Sequence, residues 1–360
     1  MPGTDALELR VREHLADLER CGLRRALRSP AGIDLSSNDY LGLSTHPAVT
    51  GRMAEAVRAL GAGSTGSRLL RGERDVFAAL EARFARFKGT ERSLYFSSGY
   101  LANLAVLTTF PEAGDVIYSD ELNHASLIDG VRLSSASREI YPHGEAPAGA
   151  RGQFVVTESL FSMDGDVAPL RELAEVGAML IVDEAHAVGI YGASGSGLLE
   201  ETGVSPFLSV NPCGKALGVA GAFVAGADWA IDYMIQRARP FIFSTAAPPA
   251  VAAALDASLD VIEAEPERRA RLRFLARYLR GKLGLQGDSP IVPVIVGEND
   301  RAVALAAELQ REGFDVRAIR PPTVPEGTAR LRISVNVNLS EETLDRFAEC
   351  LERARCAVFS

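Results

Sequence analysis

Met179-Leu180-Ile181-Val182-Asp183-Glu184-Ala185-His186 is an unbroken apolar run that ends in two acids, with a histidine three residues past the first acid. Four consecutive apolar residues without alternation suit a strand buried on both faces, which is the setting of a parallel sheet. An acid at the C-terminal end of such a strand stands where open α/β sheets place their ligands. Taken alone, Asp183 would serve equally well as a helix cap or turn residue.

Outward from this stretch, similar runs recur at residues 94–96, 116–118, 154–156 and 207–210, separated by helical spacing such as Val76, Leu80, Phe84 and Phe87. The alternation predicts an α/β fold, a mostly parallel sheet with helices on both faces. The two ends read differently. Residues 6–27 predict one helix stopped by Ser29-Pro30. Beyond Pro248, long helices accompany strand-like runs at 291–296, 316–319 and 331–335, and an amphipathic helix starts at Glu341. The expected division is an N-terminal helix and arm over 1–42, a large domain over 43–248 and a smaller α+β domain over 249–360, with Ala247-Pro248-Pro249 as the boundary.

A chain of 360 residues exceeds what one core ordinarily supports, and 47% apolar with 24% charged residues is the composition of a folded globular protein. The net charge of −9 argues against binding nucleic acid through its phosphates, and Arg24 and Arg25 read on composition as a solvated helix face. The most apolar stretch, 217–227, falls far short of the ~20 residues of a membrane helix, so no membrane span is expected. Residues 1–8 lack the charged and apolar regions of a secretory signal, and the mature chain is expected to begin there. Cys21, Cys213, Cys350 and Cys356 match neither a zinc pattern nor a disulfide framework, which fits a reducing cytoplasm and predicts no metal.

Two motif matches mislead. Gly61-Ala62-Gly63-Ser64-Thr65-Gly66 spells a dinucleotide fingerprint, but a helical segment precedes it where a strand is required. It reads better as a Gly/Ser loop that can approach a ligand or a partner subunit. Asp183-Glu184-Ala185-His186 spells a helicase metal box, yet no phosphate-binding Gly-x4-Gly-Lys-Ser/Thr loop accompanies it.

The remaining signals form a set. Ser97-Ser98-Gly99-Tyr100-Leu101-Ala102-Asn103 passes from strand to helix and offers free N–H groups to an anion, or is a serine cap without a ligand. His124 lies in the polar loop Leu122-Asn123-His124-Ala125-Ser126, where an imidazole could stack on a flat ring or be purely structural. His14, His46 and His143 have no such company and read as surface or packing residues. Lys215 sits in the turn Gly214-Lys215-Ala216-Leu217-Gly218. A lone lysine there is ordinarily a surface residue, so its meaning rests on the others. A carboxylate that keeps a pyridine nitrogen protonated and an amine that forms a Schiff base are what pyridoxal 5'-phosphate (PLP) requires.

Together these segments resemble the α-oxoamine synthases, fold-type I PLP-dependent transferases that condense an amino acid with an acyl thioester and release carbon dioxide. The resemblance spans nearly the whole chain. It runs through Ser37-Asn38-Asp39-Tyr40-Leu41-Gly42-Leu43, Gly63-Ser64-Thr65-Gly66-Ser67-Arg68, Ser98-Gly99-Tyr100 and Asn123-His124-Ala125-Ser126. It continues through Thr157-Glu158, Phe161-Ser162-Met163-Asp164-Gly165-Asp166, Asp183-Glu184-Ala185-His186, the Lys215 turn and Ser244-Thr245. The tail, Arg320-Pro321-Pro322-Thr323-Val324-Pro325 and Gly327-Thr328-Ala329-Arg330-Leu331-Arg332, is most similar to the member that joins L-alanine to a pimeloyl thioester in biotin synthesis.

Carried over position by position, the resemblance makes Lys215 the Schiff-base lysine and the base for the α-proton. Asp183 pairs with the pyridine nitrogen, His186 and Ser162 bond the ring oxygen, and His124 stacks on the ring. Ser98, Gly99 and Tyr100 take the phosphate, with Ser244 and Thr245 reaching it from the partner of an obligate homodimer. Asn38 and Arg332 hold the substrate carboxylate, a task suited to the planar guanidinium. Thr323 lies near the acyl group, and Arg25 joins the substrate residues. The acyl donor implied is an acyl-CoA or an acyl carrier protein. A relative using glycine or serine with another acyl-CoA, or a PLP-fold subunit without catalysis, is the alternative.

Three departures stand out. Pro212 occupies the place, three residues before the lysine, where the family carries a Thr or Ser hydroxyl for the phosphate. Proline offers neither hydroxyl nor N–H, and Asn211 and Cys213 are the neighbours that could compensate. The segment 27–35 is short, as if a hairpin were missing, and Ser334-Val335-Asn336-Val337-Asn338 replaces a strand end usually made of small residues and a histidine.

Overall fold

The structure, a computed structural model, describes residues 2–359. Its contacts group the chain into two compact units, a larger one of residues 38–162 and 166–272 and a smaller one of residues up to 37, 163–165 and from 273 on.

In the larger unit, among the described residues, seven strands form one sheet in the order Arg92–Phe96, Ala222–Gly226, Leu208–Pro212, Met179–Asp183, Phe154–Glu158, Val116–Asp120, Ser137–Tyr141. Ala222–Gly226 runs antiparallel to both neighbours, and the other pairings are parallel. The continuous apolar runs are explained by burial on two faces. Val224, Val210 and Ile181 pack with Val106, Leu107 and Met234 on one side. On the other, Phe223 stacks on Phe84 of the helix Asp75–Lys88 with ring centroids 3.7 Å apart. Each such buried side chain contributes about 1.5–3 kcal/mol.

The parallel strands all end at one edge, which gathers Asp120, Glu158, Asp183 and Pro212 there. Register decides which of them touch. Glu158 pairs with Asp183, so two carboxyl-bearing residues stand side by side on adjacent strands.

The smaller unit holds the antiparallel sheet Ala318–Ile319, Ala329–Ser334, Ile291–Gly297 and a separate parallel pair, Ile33–Asp34 with Phe314–Asp315. The helices Asn299–Arg311 and Glu341–Phe359 pack together, and Phe314 meets Phe347 edge-on.

Several expectations change. The first helix is Pro2–Arg20, not 6–27, because Gly22 takes a left-handed φ of 64° and Leu23 N–H turns back to Leu18 O. The expected strand 316–319 divides, since Phe314–Asp315 and Ala318–Ile319 pair with different partners. The arm up to residue 37 belongs to the smaller unit. The helix Pro249–Ala264, expected beyond the boundary, belongs to the larger unit, where Ala250 and Ala253 pack with Ala56 and Arg83 reaches Asp256 at 2.8 Å. Ser137–Tyr141 escaped notice because it is an edge strand whose first four residues are exposed.

Candidate active site

The strand-end edge encloses a cavity of about 330 Å³ lined by Asn38, Ser98, Gly99, Tyr100, His124, Asp183, His186 and Lys215, all foreseen from the sequence. Asn103, Ser126, Glu158 and Pro212 line it as well, with no role foreseen for the first three.

Each wall has a local cause. Ser98 caps the helix Gly99–Thr109 by accepting Leu101 N–H at 3.2 Å, which leaves its own O–H available. The first N–H groups of that helix have no carbonyl behind them and open onto the cavity. A Cβ on Gly99 would lie 2.7 Å from Pro212 Cγ, so this backbone must be bare. The lysine turn is held by backbone bonds: Cys213 N–H to Gly221 O at 2.8 Å, Gly218 N–H to Lys215 O at 2.9 Å and Ser258 Oγ to Leu217 O at 2.6 Å. Gly218, at φ 68°, lies against the backbone of Leu43 and Ser44, where a side chain has no room.

Asp183 is 4% exposed and accepts from Ala185 N–H at 2.8 Å and from Asn103 Nδ2 at 2.7 Å. Both donors are neutral, so neither cancels the carboxylate's charge, and a cation placed in the cavity would be drawn to it. Asn103 also donates to Ser126 Oγ at 2.9 Å. Tyr40 Oη lies 2.7 Å from His186 Nδ1 and donates to Asn38 Oδ1 at 3.1 Å, which orients both side chains. His124 caps the helix Ala125–Leu133, its Nδ1 accepting Ser126 N–H at 3.2 Å. Burial holds its pKa below the ordinary imidazole value, with Asp183 opposing and Lys215 reinforcing that effect.

Glu158 stood in the sequence only as part of the resemblance, with no role given to it. Its Oε1 accepts His124 N–H at 2.7 Å, and burial together with the Asp183 charge pushes its carboxyl up to about 8. Lys215 and the His124 N–H pull the other way without prevailing. The folded pKa exceeds the unfolded value of 4.5, so the associated stability is complete below 4.5 and is lost as pH rises through 8. In the protein without ligand, denaturation midpoints should therefore fall over that interval. Glu158→Gln should flatten the trend, and an unchanged slope in this variant would remove Glu158 as its source.

Other predicted residues lie elsewhere. Ser162 follows Phe161, whose N–H closes a turn onto Asp166 O at 2.9 Å. Ser244 and Thr245 line a small separate recess, with Thr245 bridged to Ser67 of the glycine-rich loop. That loop follows the helix Pro47–Leu60, which disposes of the dinucleotide reading. Arg332, Thr323 and Arg25 belong to the smaller unit. There Arg332 is 7% exposed and donates to Ser334 Oγ at 2.7 Å, Thr323 N–H bonds Arg320 O, and Arg25 reaches Pro321 O at 3.4 Å. Neither neighbour of Pro212 can compensate for it. Asn211 is fully buried and donates to Ser209 Oγ and Phe223 O, and Cys213 Sγ points at Asn211 O. His143, expected as a surface or packing residue, has its ring between Asp120 and Asp166.

A family model described as aminotransferase class I and II matches residues 30–351. An 8-amino-7-oxononanoate synthase from Azoarcus sp. (strain BH72) is 43% identical, the match covering 98% of this chain and 99% of that protein. Among solved structures, a serine palmitoyltransferase from S. paucimobilis with bound PLP–myriocin aldimine is 29% identical with a TM-score of 0.89, covering 97% of both chains. An 8-amino-7-oxononanoate synthase from Francisella tularensis is 30% identical with a TM-score of 0.79, covering 91% of this chain and 99% of that one.

Proposed function

The chain belongs to the aminotransferase class I and II family, and from that premise we propose that it is a PLP-dependent acyltransferase of fold type I that condenses L-alanine with a pimeloyl thioester, with loss of carbon dioxide, to 8-amino-7-oxononanoate in biotin biosynthesis. The observation that carries the reading is the convergence of Lys215, Asp183, His124 and the bare helix start at Gly99 on one cavity. The choice of substrate follows the relatives. The chain is 43% identical to the synthase from Azoarcus and 29% identical to the serine palmitoyltransferase.

The residues present fit PLP. The Asp183 carboxylate, held by Asn103 and the Ala185 N–H, suits a pyridinium nitrogen, and the helix start suits a phosphate. When bound, PLP supplies the electron sink for a carbanion at the amino acid's α-carbon. Lys215 Nζ anchors the cofactor and takes the α-proton. Asp183 is kept in place by Asn103, and His186 by Tyr40. With PLP bound, His124 would face the ring, and His186, with Ser162 from its turn outside the cavity lining, would bond the ring oxygen. Ser98, Gly99 and Tyr100 hold the phosphate, with Ser244 and Thr245 contributed by the partner of a homodimer. Asn38 and Arg332 take the substrate carboxylate, and Thr323 and Arg25 serve the acyl substrate. No disulfide joins the described cysteines, and no described helix is long and apolar enough to cross a membrane; the setting proposed is the cytoplasm.

The test supplies PLP with L-alanine, glycine or L-serine and with pimeloyl, acetyl, succinyl or palmitoyl thioesters, and measures carbon dioxide and ketone product. Release with L-alanine and the pimeloyl thioester is expected. Preference for glycine or serine would overturn the substrate, and a PLP absorbance unshifted by the protein would overturn the cofactor.

Pro212 adds a quantitative expectation. One charge-assisted hydrogen bond contributes about 1.5–3 kcal/mol. Pro212→Thr should therefore tighten PLP binding roughly tenfold or more. The proline costs the sheet little, since it lies two residues past Val210, the last partner of the neighbouring parallel strand. Equal rates of PLP loss on dialysis of parent and variant would show that the phosphate is held without this position.

A further inference from the structure

We propose that His143 is a positioning residue whose imidazolium clamps the loop that carries His124 to the turn that carries Ser162. The inference rests on the proposed cofactor, because those two side chains matter through what they hold.

The geometry sets the ring between two carboxylates. Nδ1 lies 3.0 and 3.1 Å from the oxygens of Asp120, and Nε2 lies 2.6 Å from Asp166 Oδ2. Asp120 ends its strand and organises the loop beyond it: Oδ1 accepts Leu122 N–H at 2.8 Å, and its carbonyl accepts Asn123 N–H at 3.2 Å. His124 is the next residue. Asp166, on the other side, accepts Phe161 N–H with its carbonyl and so closes the turn that begins at Phe161-Ser162. The Phe161 ring meets His143 edge-on at 4.3 Å and covers it from that side. Backbone bonding adds a further tie, His143 N–H to Glu121 Oε1 at 2.9 Å.

Carboxylates only accept hydrogen bonds, whereas a neutral imidazole carries one N–H and one lone pair. The two contacts therefore require both nitrogens protonated. Loss of that proton would aim a lone pair at one carboxylate and leave Asp120, 2% exposed, with less to offset its burial. The charged groups facing the ring are Asp120, Asp166 and Glu121, with Tyr141 lying beyond, its hydroxyl pKa raised by burial and by Asp120. Desolvation works against the imidazolium, but Asp166 and Asp120 outweigh it and hold its pKa above the ordinary imidazole value. Burial pushes the Asp120 carboxyl up, against the pull of Leu122 N–H and His143. Asp166 and Asp120 together keep the ring charged. Because the folded pKa is raised, the clamp is complete below the unfolded imidazole value of 6.5 and is lost as pH rises through the folded one.

The test follows the imidazole nitrogens by NMR in ¹⁵N-histidine-labelled protein, with and without PLP, beside kcat/KM and the rate of PLP loss across pH. His143 should titrate above ordinary imidazole. Asp166→Asn should lower that pKa and move the alkaline fall of kcat/KM and of PLP retention down by the same interval. His143→Gln should lose PLP about tenfold faster near neutral pH, as expected for one charge-assisted bond, and should speed amide exchange at 121–126 and 159–162. An ordinary His143 pKa, or an alkaline limb unmoved in Asp166→Asn, would overturn the clamp. If the parent protein takes up no PLP, the cofactor reading fails by itself and amide exchange decides the clamp: faster exchange in His143→Gln supports it, and unchanged exchange sinks it.

Discussion

Lys215→Ala should fold as the parent does and lose turnover by about 10⁴-fold or more, the upper range for removing a general base, with loss of the anchoring amine in addition. The fold should survive because the turn is held by other groups. Cys213, Gly218 and Val219 close it through backbone bonds, Ser258 Oγ fixes Leu217 O, and Gly218 rests on the Leu43–Ser44 backbone. None of these uses the Lys215 side chain. Circular dichroism and gel filtration should match the parent, while product formation from L-alanine and the pimeloyl thioester should disappear. A variant that is folded, binds PLP and still turns over at a tenth of the parental rate would remove Lys215 from the chemistry.

The second large effect falls on stability and comes from a residue outside the cavity. Glu184 follows Asp183 but turns the other way, accepting Lys88 Nζ at one carboxylate oxygen and Leu199 N–H at the other. Lys88 also donates to Ser196 O, and the two side chains are 3% and 0% exposed. Removing one partner of such a pair leaves an uncompensated buried charge and costs about 3–5 kcal/mol. Lys88→Met should destabilise the larger unit by that amount. Adding Glu184→Gln, which removes the charge and keeps an acceptor for Leu199, should restore most of it. The only tryptophan, Trp229, sits in the same unit against Phe207, so its fluorescence in urea reports the loss. A single variant within about 1 kcal/mol of the parent, or a double variant no better than the single, would contradict the account.

The residues around Asp183 show how far the chain could be read before it was folded. Asp183 and His186 were visible as company for Lys215, and both line the cavity. Glu184, between them, looked like part of a helicase box. Its partner Lys88 lies 96 positions away, a contact no local pattern announces. His143 likewise had no marked neighbours in sequence, because Asp120 and Asp166 each stand 23 positions from it.

Periodicity and turn chemistry are properties of neighbouring residues, so the sequence by itself determined the α/β alternation, the ligand-bearing strand end at Asp183, the helix start at Gly99 and the lysine turn at 214–218. Only the tertiary structure decided that Glu158 stands beside Asp183, that Asn103 and Tyr40 steady the cavity's side chains, that Pro249–Ala264 packs in the larger unit and that His143 lies between two acids. The reason is physical: strand register and helix packing bring together residues far apart in the chain, and burial in that arrangement, not residue type, sets which of them carry charge.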